Sequence, residues 1–165
     1  MTLPTTITTE RLTLRPVEIR DLEGYVTYYT GERTSGVGGP KPRYLAVKQF
    51  MAILGQWGLR GYGRYAIDLN GTAIGHTGVM HYDESDPIEL TWTLWDAAHE
   101  GFGYASEAAR AVLTAWSGPS LAVHVMPDNS RSIKVAERLG FAHDTRVTGP
   151  DYAPELMTFH MGAAQ

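Results

Sequence analysis

No cysteine occurs among the 165 residues. Its absence excludes disulfide staples, a thiolate nucleophile and cysteine-ligated metal, while a cysteine-free chain fits any redox compartment. Long apolar runs are missing too: nowhere do about 18 apolar residues follow one another, and no early positive cluster precedes a shorter run. The chain is therefore read as soluble and unexported, with the cytoplasm as the default compartment. Positive charge is also in short supply, with 14 Lys and Arg against 18 Asp and Glu and a net charge of −4. A nucleic-acid partner would have to overcome that field, and a cationic or amine substrate suits it better. The six histidines are scattered along the chain. His76 and His81 are an odd number of residues apart, hence on opposite faces of a regular strand, and no third ligand lies near them in sequence; no metal site is expected.

What is present suffices for one domain over residues 1–165, since a chain of this length buries roughly 70% of its unfolded surface around a single core. Ile7, Leu12 and Leu14 predict an opening strand that ends at Pro16. Leu22, Tyr25, Val26 and Tyr29 have helical spacing over Asp21 to Tyr29, and the glycine-rich and proline-bearing Thr30 to Pro42 reads as an exposed loop bordering a substrate site or as a plain connector. Leu45, Phe50, Ile53, Leu54 and Trp57 mark an amphipathic helix ended by Gly58 and Gly61. Two strand-like runs meet at Asn70-Gly71, the residue pair best suited to a tight hairpin. The segment IELTWTLW alternates Ile88, Leu90, Trp92 and Leu94 with Glu89, Thr91, Thr93 and Trp95, as a half-buried strand does. A helix over Tyr104 to Trp116, a strand LAVHVM, a helix capped by Asn129 or Ser130 and stopped by Gly140, and a final strand pair complete the order. Antiparallel strands followed by a βαβ-like unit predict a mixed α/β sheet flanked by helices.

The stretch HEGFGYASEAARAVLTAW, His99 to Trp116, runs a glycine turn straight into a helix. Gly101 and Gly103 let the backbone approach an anion, and the helix start presents unpaired NH groups and a positive dipole end, so the turn suits a phosphorylated ligand. A GKS or GKT ending is missing, which disfavours a nucleotide triphosphatase, and no acid placed to hold a ribose follows the next strand, which disfavours a dinucleotide site.

Four segments together resemble the GNAT N-acetyltransferases, in particular the branch that includes ribosomal-protein amino-terminal acetyltransferases: TERLTLRP, GTAIGHTGV, HEGFGYASEAAR and PDNSRSIKVAERLGF, in the family's order and spacing. The resemblance implies a largely antiparallel central sheet of six to seven strands flanked by about four helices. It implies acetyl-CoA as cosubstrate, with the pantetheine arm between the strand Trp92, Thr93, Leu94, Trp95 and the strand Leu121 to Met126. The pyrophosphate loop would be Glu100, Gly101, Phe102, Gly103, Tyr104, Ala105 and Ser106, with Asn129 orienting the pantetheine amide. Two positions depart from the family. Glu100 stands where Arg or Gln is usual, and is expected to weaken pyrophosphate binding by repulsion without abolishing it. Ala136 stands where many members carry a tyrosine that protonates the leaving thiolate.

The implied activity is acetyl transfer from acetyl-CoA to a primary amine, a small molecule or a protein amino terminus, by direct attack; the alternative is a non-catalytic acyl-CoA-binding module. Amine attack needs a neutral nitrogen, a polarised carbonyl and a stabilised thiolate. Glu89, at the start of the strand resembling the cofactor-facing one, is the leading base, with a solvated place on the polar strand face as the competing reading. Glu84, His81 and His124 are the alternatives. Ser132 is the preferred thiolate partner by the same resemblance, and capping is the competing role for it and Asn129. Trp57, Tyr62 and Tyr65 are candidates for an acceptor pocket or for the core. Either a monomer or a homodimer fits.

Overall fold

The opening run folds back on itself instead of forming one strand. In the computed structural model, which describes residues 3–161, β1 (Ile7–Thr8) and β2 (Thr13–Pro16) pair antiparallel around a turn. The Thr9 amide donates to the Leu12 carbonyl at 2.9 Å, and the Leu12 amide donates to the Thr9 hydroxyl at 3.0 Å. That local closure makes the sheet eight-stranded where six to seven strands were expected. Pro16 does end β2, paired with Tyr65 beyond the reach of β1, so its missing N–H disrupts no ladder there.

Arg15 reaches from β2 to Asp21 and Asp68, each at 2.8 Å, in a nearly buried cluster. Burial works against the Asp21 carboxylate, but hydrogen bonds from Arg15 and from the Glu18 amide outweigh it and hold Asp21 below the usual carboxylate range. The cluster fixes how the chain leaves the sheet for α1 (Leu22–Thr30). The expected loop after α1 carries a short 3-10 helix, Glu32–Val37, organised by the buried Thr34, whose hydroxyl donates to the Gly31 carbonyl at 2.7 Å. Helix α2 (Arg43–Arg60) runs through Gly58 and stops at Gly61, which takes the left-handed φ of 71°. Gly58 is exposed and meets no neighbour that would end the helix.

Asn70 and Gly71 turn β3 (Arg64–Leu69) onto β4 (Thr72–Met80) with φ of 53° and 87°, the expected hairpin. Then come β5 (Glu89–Leu94), α3 (Tyr104–Ala115), β6 (Ala122–Val125), α4 (Ser130–Arg138), β7 (Phe141–His143) and β8 (Met157–Met161). The strand order is β1-β2-β3-β4-β5-β6-β8-β7, antiparallel throughout except between β5 and β6. The expected mixed, largely antiparallel architecture with four α-helices is what forms.

Alternation along β3 shows how the sheet divides the core. Tyr65 and Ile67 pack with Ala108, Ala109 and Val112 of α3 and Ala136 of α4, whereas Ala66 packs with Tyr25 of α1 and Phe50 and Ile53 of α2. Helices α3 and α4 thus cover one face, and α1 and α2 the other. The parallel pair β5 and β6 has one registered pair, Glu89 with Ala122, beyond which the strands part. Among the described residues, no helix is long and apolar enough to cross a membrane.

Candidate active site

The gap between β5 and β6 leads to the start of α3. Gly101 and Gly103 have φ of 84° and 82°, which an L side chain rarely adopts, and no side chain caps the helix. The first amide with a helical partner is that of Glu107, which donates to the Gly103 carbonyl at 3.0 Å, so the preceding amides of the first turn remain for an anion. Arg11 braces this loop from the β1–β2 turn. It donates to the Phe102 carbonyl at 2.9 Å, pairs with Glu107 at 2.6 Å and lies over the Tyr104 ring. The segment TERLTLRP therefore supports the glycine turn as well as opening the sheet.

A cavity of about 790 Å³ runs along this loop. Of the expected cofactor residues, Trp92, Thr93 and Leu94 line it from β5, and Glu100, Gly101, Gly103, Tyr104, Ala105 and Ser106 line it from the loop and α3. Asn129 and Ser132 line it from α4. Trp95 and Phe102 are not in the lining. Trp95 turns to the α1 side, where its indole donates to Nδ1 of the buried His76 at 3.0 Å, and the Phe102 side chain is exposed.

The carboxylate of Glu100, expected to repel a pyrophosphate, is held by two guanidiniums, Arg33 at 2.8 Å and Arg131 in a closer contact, which offset part of its charge. With Lys134 and Arg138, the lining carries four cations against Glu100 and Asp128. The groove is locally positive although the chain is acidic overall, which suits a phosphorylated ligand.

A second cavity, of about 440 Å³, opens on the α1–α2 side and shares Val37, Trp92, Thr93, Asn129 and Ser132 with the first, so the two meet between the 3-10 segment, β5 and the head of α4. Glu89 lies in its wall. The carboxylate is buried, not solvated, because α1, α2 and the segment before β8 cover the face that alternation marked as polar. Tyr152 donates its hydroxyl to Oε1 of Glu89, and Nδ1 of His124 lies 2.9 Å from the same oxygen. That imidazole contact is close but poorly directed, since Nδ1 of His124 has no hydrogen-bond partner. Burial and the neighbouring Glu89 carboxylate both push the Tyr152 phenol up, so Tyr152 is a neutral donor. Both contacts fall on Oε1, and among the described residues Oε2 of Glu89 has no hydrogen-bond partner.

Of the other base candidates, His124 lines this cavity beside Glu89, and two lie elsewhere. Glu84 is exposed and paired with Arg60 at 2.8 Å, and His81 shares a hydrogen bond with Tyr62 at 2.9 Å; neither lines either cavity. Burial, reinforced by Arg64, holds the His76 imidazole well below its ordinary value of 6.5, so it is a neutral acceptor for Trp95. Trp57, Tyr62 and Tyr65 belong to the core on the α3 side. Besides Trp92, the aromatic lining comes from Tyr25, Tyr29, Tyr82 and Tyr152, joined by Arg64, Lys41 and Gln49. None of these was singled out in the sequence as lining the acceptor side. Val37, Gly38 and Lys41 put the Thr30 to Pro42 segment at the border of this cavity.

Asn129 caps α4, its side-chain oxygen accepting from the Ser132 amide at 3.1 Å. This leaves the Asn129 amide nitrogen and the Ser132 hydroxyl for a ligand, so capping and binding are compatible. Ala136, one turn further on, is fully buried in the core and lines neither cavity.

The family model for an acetyltransferase (GNAT) domain matches residues 11–142. An acetyltransferase structure from Agrobacterium tumefaciens str. C58 is similar at 36% identity over 99% of this chain and 96% of that one, with a TM-score of 0.88. Mycobacterium smegmatis RimJ in complex with CoA-disulfide shares the fold at 18% identity, covering 97% and 88% of the two chains, with a TM-score of 0.69. The Microcin C7 self immunity acetyltransferase MccE in complex with acetyl-CoA and AMP does so at 12% identity over 92% of each chain, with a TM-score of 0.72. No curated protein matches the sequence at a significant level. With the family model spanning most of the chain and the Agrobacterium structure matching it nearly end to end, the chain belongs to the GNAT acetyltransferase family.

Proposed function

We propose that the protein transfers the acetyl group of acetyl-CoA to a primary amine by direct attack. The observation that carries this reading is the meeting of two cavities at Ser132 and Asn129, one positive and floored by a helix start, the other holding a buried carboxylate. The first cavity suits the pyrophosphate at the amides of the α3 start, with Arg131, Lys134 and Arg138 adding charge. The Asn129 amide and the edge of β5 beyond Glu89, which β6 leaves unpaired, suit the amides of the pantetheine arm.

Glu89 accepts a proton from the ammonium form of the acceptor at Oε2, directly or through one water, while Tyr152 holds Oε1. The neutral nitrogen attacks the thioester carbonyl, a backbone amide of β5 stabilises the oxyanion, and the C–S bond breaks as the nitrogen gives up its second proton, which passes through water to the departing thiolate. The Ser132 hydroxyl donates a hydrogen bond to the departing thiolate, the role that Ala136 cannot fill. No covalent acyl-enzyme is needed, in keeping with a chain that has no cysteine.

Calorimetry with acetyl-CoA, followed by a thiol-release assay over a panel of amines and peptides, tests the reading. Binding with acceptor-dependent thiol release supports it. Binding without such release would instead assign a non-catalytic acyl-CoA module, and no binding would remove both.

A further inference from the structure

Arg64 is an anomaly in the acceptor cavity. It is only 4% exposed, yet among the described residues no carboxylate lies within ion-pair distance of it. Of its five N–H donors, one meets the Tyr82 hydroxyl at a long 3.3 Å, and Nε is buried without any partner. A buried guanidinium left so far from satisfied is costly unless something else completes it. Arg64, Lys41 and Gln49 all line the cavity, and among the described residues Lys41 also lacks an acidic partner and Oε1 of Gln49 is buried without a donor.

The register explains how Arg64 and Glu89 come to face one another. Arg64 of β3 pairs with Gly78 of β4, which pairs with Thr91 of β5, and Glu89 lies two residues before Thr91 on the same sheet face. Residue 78 must be glycine: its φ is 145°, and a Cβ there would come within 2.4 Å of the Gly63 carbonyl oxygen. No side chain therefore stands between Arg64 and β5. Two strand spacings, about 10 Å, separate the arginine and glutamate strands, and both residues line the cavity. The cavity thus holds the cations Arg64 and Lys41 and the carboxylate Glu89 in one lining.

We infer that the acceptor is a small amine that also bears a carboxylate, an amino acid in the chemical sense, bound with its carboxylate on Arg64 and its nitrogen at Glu89. This rests on the acetyltransferase reading of the same site. A guanidinium takes a carboxylate in two parallel hydrogen bonds, which would occupy donors that Arg64 now leaves unmade. Lys41 adds charge at the same end, and the unpartnered Gln49 oxygen accepts an N–H of the ligand. The volume of about 440 Å³ suits a small molecule. An internal residue of a peptide would bring an amide to Arg64 in place of an anion.

The test pairs free amino acids with their amides, identical in the amine and differing in the negative charge. Binding to the CoA-saturated protein is read by calorimetry, and turnover with acetyl-CoA by thiol release. At least one acid is expected to bind and react at least about tenfold better than its amide. Arg64→Gln is expected to lower that acid-to-amide ratio about 30-fold through KM, with Lys41→Gln lowering it less and Arg64→Lys falling between. Equal use of acids and amides by the unaltered protein, or a ratio unchanged in Arg64→Gln, overturns the proposal. Should Arg64→Gln fail to fold, Arg64→Lys and Lys41→Gln carry the comparison. The two readings separate cleanly. Acid-selective binding without thiol release upholds the anion site and removes the transferase, while thiol release without acid selectivity does the reverse.

Discussion

Arg33 and Glu100, 67 residues apart in the chain, are joined at 2.8 Å, and the bond clips the 3-10 segment after α1 to the loop that starts α3. The same carboxylate also holds Arg131 at the head of α4, so one acid gathers two cations around the groove that runs along this loop.

Neutralising that acid should strengthen cofactor binding. Glu100→Gln is expected to tighten CoA about two- to fivefold at low salt, and Arg131→Ala to weaken it by a similar factor, as partly exposed pairs contribute modestly. Calorimetry at two ionic strengths checks this, and the difference between variants should shrink in high salt. A weaker CoA complex in Glu100→Gln would mean that the carboxylate acts chiefly as an organiser of Arg33 and Arg131.

Replacing Glu89 should hurt most where the amine is mainly protonated. Glu89→Gln is expected to lower kcat/KM about 100-fold near pH 7 and progressively less as the pH approaches the amine's own pKa. Tyr152→Phe, which removes the hydroxyl that holds Oε1, should give a smaller loss with the same pH trend. Flat pH profiles in both variants would remove the base assignment.

Ser132→Ala should lower kcat about tenfold while changing the affinity for CoA less than twofold, because the hydroxyl is assigned to the developing thiolate. Stopped turnover and calorimetry give the two quantities separately. Wild-type turnover would return Ser132 to the helix head alone.

Stability should decline as the pH falls below about 6.5, before carboxylates titrate. Burial depresses the His76 pKa from its ordinary 6.5, so the unfolded chain binds the proton first and the stability that neutral His76 contributes is lost as the pH falls towards its folded value. A second decline follows below the ordinary aspartate value of 3.8, where Asp21 loses the preference that Arg15 confers on its charged form. Urea midpoints between pH 7.5 and 5 check the first step, with His76→Gln expected to flatten it. An unchanged slope in that variant would assign the decline to another group.

Much of the local architecture could be read from the residues. The Asn70-Gly71 hairpin, the Asn129 cap and the Gly140 stop, with φ of 93°, all formed as expected, because each depends on a few neighbours along the chain. The glycine loop was legible for the same reason. Its charge was not, since Arg33 and Arg131 reach Glu100 from 67 and 31 residues away. Alternation correctly put Glu89 and Leu90 on opposite faces but misjudged the first as solvated, for nothing local announces that two helices and Tyr152 will cover that face. Arg64 carried no signal at all in a strand of ordinary composition.

By itself, then, the sequence determined most of the strands and helices, where the chain turns, and that a glycine turn opens a helix after β5, all properties of backbone preference and short spacing. Tertiary structure alone decided the chemistry of the site: which carboxylate is buried, which acid is balanced by arginines, and which arginine is left wanting an anion. Those outcomes depend on desolvation and on polar groups brought together from far along the chain, 31 and 67 residues for the arginines on Glu100 and 63 for Tyr152 on Glu89, and electrostatic energy follows distance in space, not distance along the chain.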